Sequence, residues 1–106
     1  MVPRDFDEAA RWYLKAMQQG NYGLAYDKIG KLYEDGISFH QDYALAAKAY
    51  QLGANLGDGS CEFHLAWLYE RGDGVAKDHA TAVALFQKAA QDNSYDAQKW
   101  LAANRQ

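Results

Sequence analysis

Apolar side chains recur along this chain at intervals of three and four residues. Ala25, Ile29, Leu32 and Tyr33 stand at i, i+4, i+7 and i+8, which lines one face of a helix with a 3.6-residue period. Cys61, Leu65, Leu68 and Tyr69 repeat that set. A second stripe, Ala46, Tyr50 and Ala54, comes back as Ala82, Phe86 and Ala90. Gly36 and Gly72 close helices of the first kind, and Gly57 and Asn93 close helices of the second; glycine and asparagine tolerate the left-handed residue that ends a helix. Asp42 and Asp78 stand where a side chain can accept a free backbone N–H at a helix start, and Asp5 with Glu8 has the spacing of a capping box. The pattern predicts six helices, over 5–19, 23–35, 42–56, 59–71, 78–92 and 94–104.

The recurrence extends beyond the stripes. Ile29-Gly30-Lys31-Leu32-Tyr33-Glu34-Asp35-Gly36 matches Leu65-Ala66-Trp67-Leu68-Tyr69-Glu70-Arg71-Gly72, and Asp42 to Tyr50 matches Asp78 to Phe86, both at a shift of 36. Asp5 to Tyr13 lies 37 before the middle copy, and Ala97 to Ala102 lies 36 after Cys61 to Ala66. The chain therefore divides into a half repeat at 1–20, repeats at 21–57 and 58–93, and a C-terminal half repeat or cap at 94–106. A two-helix unit cannot bury its apolar face alone, so consecutive units must stack, each on its neighbour. Gly30, Ala66 and Ala102, beside the large apolar position, mark where a neighbouring helix comes close. The expected fold is all-α: an α-solenoid of antiparallel helix pairs in a right-handed superhelix.

Composition agrees with this reading and narrows the function. Nineteen alanines against three valines, two isoleucines and one threonine favour helix over sheet, leaving eight tyrosines, four phenylalanines and three tryptophans to supply bulk. A net charge of −3 with scattered Lys and Arg lacks the basic footprint of a nucleic-acid or anionic-membrane binder. No apolar run approaches the roughly 18 residues of a membrane span, and the N-terminus carries no signal-peptide pattern. The compartment stays open. Cys61 and His64, three apart on a helix, are two candidate metal ligands where a site needs three or four. The serines lack a nucleophile motif, and Gly72-Asp73-Gly74 lacks the Gly-Lys-Ser/Thr of a phosphate loop. No catalytic, metal or cofactor constellation is nominated.

The segment Cys61 to Asp78, with its Gly72-Asp73-Gly74-Val75 loop and the later Lys88-Ala89-Ala90, resembles the Sel-one-like repeat, a relative of the tetratricopeptide repeat. Departures from that pattern are Ile37-Ser38-Phe39 in the first loop and Gly53 where alanine is usual. The resemblance implies a scaffold or adaptor, in a family with many bacterial members. Some bacterial relatives pair cysteines between helices; Cys61 matches one such position and Ala54 occupies the other, which implies a buried free thiol.

The resemblance further implies that the first helix of each unit lines a concave surface. Off the core stripe those helices carry Ser60, Phe63, His64, Trp67 and Glu70, preceded by Asp27, Lys28, Lys31 and Glu34. Phe63 and Trp67 are four apart and hence neighbours, while the matching positions Asp27, Lys31, Lys99 and Ala103 are mostly charged, so the repeat itself does not demand these aromatics. Two readings stand side by side: a peptide anchor rimmed by lysines, or aromatics packed within the solenoid. The leading function is a protein-interaction module that binds a peptide or helix in a concave groove through Phe63, His64, Trp67, Lys31, Lys28 and Trp100. The alternative is a structural or inhibitor-type segment acting through its edges. Val2-Pro3-Arg4-Asp5 aligns with Val75-Ala76-Lys77-Asp78, which suggests an excerpt of a longer array, or self-association covering Trp12, Tyr13 and Ala16 of the N-terminal helix. Leu65→Ala tests the predicted core: it is expected to cost about 2 to 5 kcal/mol in urea unfolding, and a loss below about 0.5 kcal/mol would place the stripe elsewhere.

Overall fold

The computed structural model describes residues 8, 11–13, 15, 22–36 and 40–104. Five helices are bounded within them: α1 (Tyr22–Asp35), α2 (Tyr43–Asn55), α3 (Gly59–Arg71), α4 (His79–Gln91) and α5 (Tyr95–Ala103). Glu8, Arg11 to Tyr13 and Lys15 are helical as well, on the segment read as the first helix. The Asp5 cap, Ala16 and the Ile37-Ser38-Phe39 departure lie outside the described residues. No described residue is in a strand.

The helix ends follow the local chemistry. Asp42 and Asp78 accept from the backbone N–H groups of Leu45 (3.0 Å) and Thr81 (3.1 Å). Asp58 and Ser94 do the same for α3 and α5, accepting from Cys61 (2.8 Å) and Ala97 (3.1 Å). Each such cap contributes about 1 kcal/mol. Gly36, Gly57, Gly72 and Asn93 all sit at positive φ, between 69° and 79°, closing the four helices they were expected to close. Gly74 has a further role: a Cβ there would run into the backbone of Tyr43, so the loop between α3 and α4 lies directly on the start of α2.

Packing is between neighbours. α1 pairs with α2 and α3 with α4; α2 packs on α3, α4 on α5, and α1 also touches α3. Ile29, Tyr33, Ala46, Ala49, Tyr50, Cys61, Leu65 and Leu68 form one buried cluster, and Ala66, Ala82 and Phe86 form a second. Two of the three expected close positions meet a neighbouring helix, whereas Ala102 is exposed. A Cβ on Gly30 would enter the ring of Tyr50, and Ala66 packs with Phe86 one repeat later. Burying each of these rings is worth about 1.5 to 3 kcal/mol.

Cys61 is a buried free thiol, but the residue facing it is Gly53 rather than Ala54. A Cβ on Gly53 would meet Cys61 Sγ, so the missing alanine methyl is what admits the sulfur. One repeat on, the corresponding residues are Ala89 and Ala97, both fully buried, a volume-compensated version of the same junction. The thiol donates to the carbonyl of Gly23 (3.4 Å), and burial pushes its pKa up.

Glu62 on α3 is the one polar or charged residue buried among the described residues, at 1% exposure. Its Oε2 lies 3.6 Å from Lys88 Nζ, which also reaches Asp92 (2.8 Å), while its Oε1 has no hydrogen-bond partner. Burial, then the neighbouring Asp92 carboxylate, push the Glu62 carboxyl up to about 7, with Lys88 pulling the other way. One repeat earlier the equivalent residues are Tyr26, Leu52 and Leu56, so this polar trio belongs to a single unit.

Two measurements follow. Gly→Ala inside a helix ordinarily stabilises by up to about 1 kcal/mol; Gly53→Ala is expected instead to destabilise by about 1 to 3 kcal/mol, and Cys61→Ala in the same chain to recover part of the loss in urea unfolding. For Glu62, the native state holds the proton that the unfolded chain releases near pH 4.5, so its contribution is complete below that pH and is lost as pH rises through about 7. Glu62→Gln should therefore remove a fall in stability on the order of 2 to 3 kcal/mol between pH 5 and 8; equal slopes in both proteins would reject the assignment.

Candidate functional site

The first helices α1 and α3 lie against one another, whereas α2 and α4 are separated by a groove of about 430 Å³ lined by Gln51, Ala54, Asn55, Glu62, Thr81, Ala84, Leu85 and Lys88. The stack is thus tighter along the first helices, as expected for the inner side of a curved array. The face these helices present carries three rows related by the 36-residue shift: Lys28, His64 and Trp100; Lys31, Trp67 and Ala103; Asp27, Phe63 and Lys99.

Phe63, Trp67 and Trp100 are all half-buried and belong to one aromatic assembly around the buried Phe86. Trp100 stacks on Phe86 with centroids 3.8 Å apart and planes at 13°. Phe63 and Trp67 each present an edge to Phe86 at 5.7 Å and 5.4 Å, and Trp67 meets Trp100 edge-on at 6.4 Å. The rings are thus packed within the solenoid, as the second of the two readings expects, and still reach its surface in part. The anchor is Phe86 of the same unit's second helix, a long-range contact that spacing along α3 does not show.

His64 is held on two sides. Its ring stacks on Tyr50 at 5.1 Å, and Nδ1 lies 3.0 Å from Asp27 Oδ1 across the α1–α3 contact. Tyr50 in turn donates its hydroxyl to Glu34 Oε1 at 2.8 Å, and burial followed by that carboxylate pushes its pKa up. Cys61 and His64 consequently turn to different partners, the thiol to Gly23 and the imidazole to Asp27.

Lys28 and Lys31 are exposed and line a hollow of about 300 Å³ together with Tyr13, Leu32 and Asp35. Burial raises the pKa of Tyr13. Glu34 and Glu70 depart from the expected groove face: Glu34 accepts from Tyr50, and Glu70 binds His79 Nδ1 at 2.7 Å, so both carboxylates turn toward their own second helices. Arg71, which sequence spacing did not nominate, lies over the Trp67 ring at 5.0 Å. Its position, four after Trp67, is the signal that could have found it. A separate groove of about 800 Å³ runs between α4 and α5 past Val83, Gln87, Ala90, Leu101 and Ala102, touching the aromatic row only at Trp100. Among the described residues no helix is long and apolar enough to cross a membrane, and no group of three His, Cys, Asp or Glu is placed to hold a metal.

Comparison with known proteins agrees with this architecture. The family model of the Sel1 repeat matches residues 1–21, 22–58 and 59–94. Protein sel-1 homolog 2 of Homo sapiens is 38% identical over 78 residues, covering 73% of this chain and 11% of that protein. The Arabidopsis thaliana ERAD-associated E3 ubiquitin-protein ligase component HRD3B is 28% identical over 88 residues, covering 83% of this chain and 14% of that protein. The chain thus spans only a small part of these curated relatives. Among solved structures, c5321, a protective antigen of uropathogenic Escherichia coli with an SLR fold, superposes with a TM-score of 0.76 at 32% identity, over 92% of this chain and 21% of that one. The chain belongs to the Sel1 repeat family, whose non-catalytic helical repeats serve as protein-interaction modules.

Proposed function

We propose that this chain binds a segment of a partner protein, an extended peptide or a helix, across the face formed by α1, α3 and α5. Phe63, His64, Trp67 and Trp100 supply the contact surface, with Lys28 and Lys31 as a charged rim. The observation that carries this reading is the half-exposed row of Phe63, Trp67 and Trp100, fixed from beneath by Phe86. Rings held in place lose little conformational freedom on binding, and anchored aromatics are common hot spots of protein interfaces. The names of relatives support a protein ligand: one of them is a component of a ubiquitin ligase.

Partners captured on the immobilised chain and identified by mass spectrometry provide the test. Trp67→Ala is expected to weaken a captured partner at least tenfold while the helical circular dichroism persists; Lys31→Ala, at an exposed position, should weaken it without touching the aromatic core. Unchanged affinity in both variants would reject this face. Protection of Trp12, which is 51% exposed, in place of Trp67 would instead support binding through the N-terminal edge.

A further inference from the structure

Charge on the proposed face is distributed unlike charge in the chain as a whole. The protein carries 14 acidic and 11 basic residues. On the first helices, however, the acids are largely engaged. Asp27 holds His64, Glu34 accepts from Tyr50, Glu70 holds His79, and Glu62 is buried beneath Lys88. The cations are not. Among the described residues Lys28 and Lys31 make no ion pair, and Arg71 and Lys99 make none either, lying instead over the Trp67 ring and, at 5.4 Å, the Tyr95 ring. Against these four stand two acids on the same helices without an ion pair among the described residues, Asp35 on the rim of the lysine hollow and Asp96 in the first turn of α5.

We infer that this face selects an acidic segment carrying an aromatic or other bulky apolar side chain: carboxylates seat in the hollow of Lys28 and Lys31, and the apolar group meets Phe63, Trp67 and Trp100. The inference rests on the proposed groove and adds the class of its ligand. It also sets a spacing. Packed helices lie about 8 to 10 Å apart, and an extended chain advances about 3.3 Å per residue. The acidic residue and the aromatic therefore stand about three positions apart in the ligand.

A random dodecapeptide library displayed on phage and selected against the 106-residue chain tests this. Enriched sequences are expected to carry Asp or Glu about three residues from an aromatic. Synthetic copies, titrated by fluorescence anisotropy, should bind at least tenfold more weakly to the Lys28→Glu/Lys31→Glu variant and more weakly as salt rises from 50 to 500 mM. Both lysines are exposed, so the circular dichroism of that variant should match the parent's. Neutral or basic peptides that still lose affinity on Trp67→Ala would overturn the acidic class and leave the groove reading standing. Peptides indifferent to both substitutions, or no enrichment at all, would overturn the two together.

Discussion

The ring of Tyr50 lies against Gly30, and 36 residues later the ring of Phe86 packs with Ala66. In each unit a large aromatic from the second helix is seated on the smallest available residue of the first, which lets the two backbones approach while the ring excludes water. The other packing is arranged around these seats. Tyr50 reaches forward to stack on His64, and His64 ties α3 back to Asp27 on α1. Phe86 carries Phe63, Trp67 and Trp100. The contact that joins the helices of a unit is also the one that orients Phe63, Trp67 and Trp100, so this aromatic face and the fold share one support.

Against this common frame, the differences between units are informative. Gly53 with Cys61 becomes Ala89 with Ala97, conserving volume by moving a heavy atom from one helix to the other. Tyr26, Leu52 and Leu56 become Glu62, Lys88 and Asp92, exchanging apolar-bodied side chains for a buried carboxyl that is neutral below about pH 7. An uncompensated buried charge is costly, and here the proton and Lys88 reduce that cost, while Asp92 favours the protonated form. The family period tolerates both exchanges because each contact is made only with helices that are neighbours in the stack.

Electrostatics on the face follows from the same economy of partners. Carboxylates can cap helices, hold imidazoles and accept hydroxyls, and in this chain most of those on the first helices do so. Lysine and arginine have fewer internal acceptors left to meet. A chain of net negative charge thereby presents a face on which cations and aromatic edges predominate.

Much of this was legible in the residues themselves. A 3.6-residue stripe repeated at 36 implies helix pairs that must stack, and Gly36, Gly57, Gly72 and Asn93 mark their ends because backbone sterics act locally. Caps at Asp42 and Asp78 are equally local. The site was legible only as positions. That Phe63 and Trp67 are both anchored and only half-buried depends on Phe86, some twenty residues away, and on Trp100 of the next unit. Glu34 and Glu70 share the spacing of groove residues, yet hydroxyl and imidazole partners on the second helices turn them aside. Gly53 stands opposite Cys61 because helix rotation, rather than sequence offset, sets which residue faces the sulfur. Periodicity, set by local backbone geometry, was determined by the sequence alone; side-chain partnership, which needs two helices at a definite distance and rotation, was decided only by the tertiary structure.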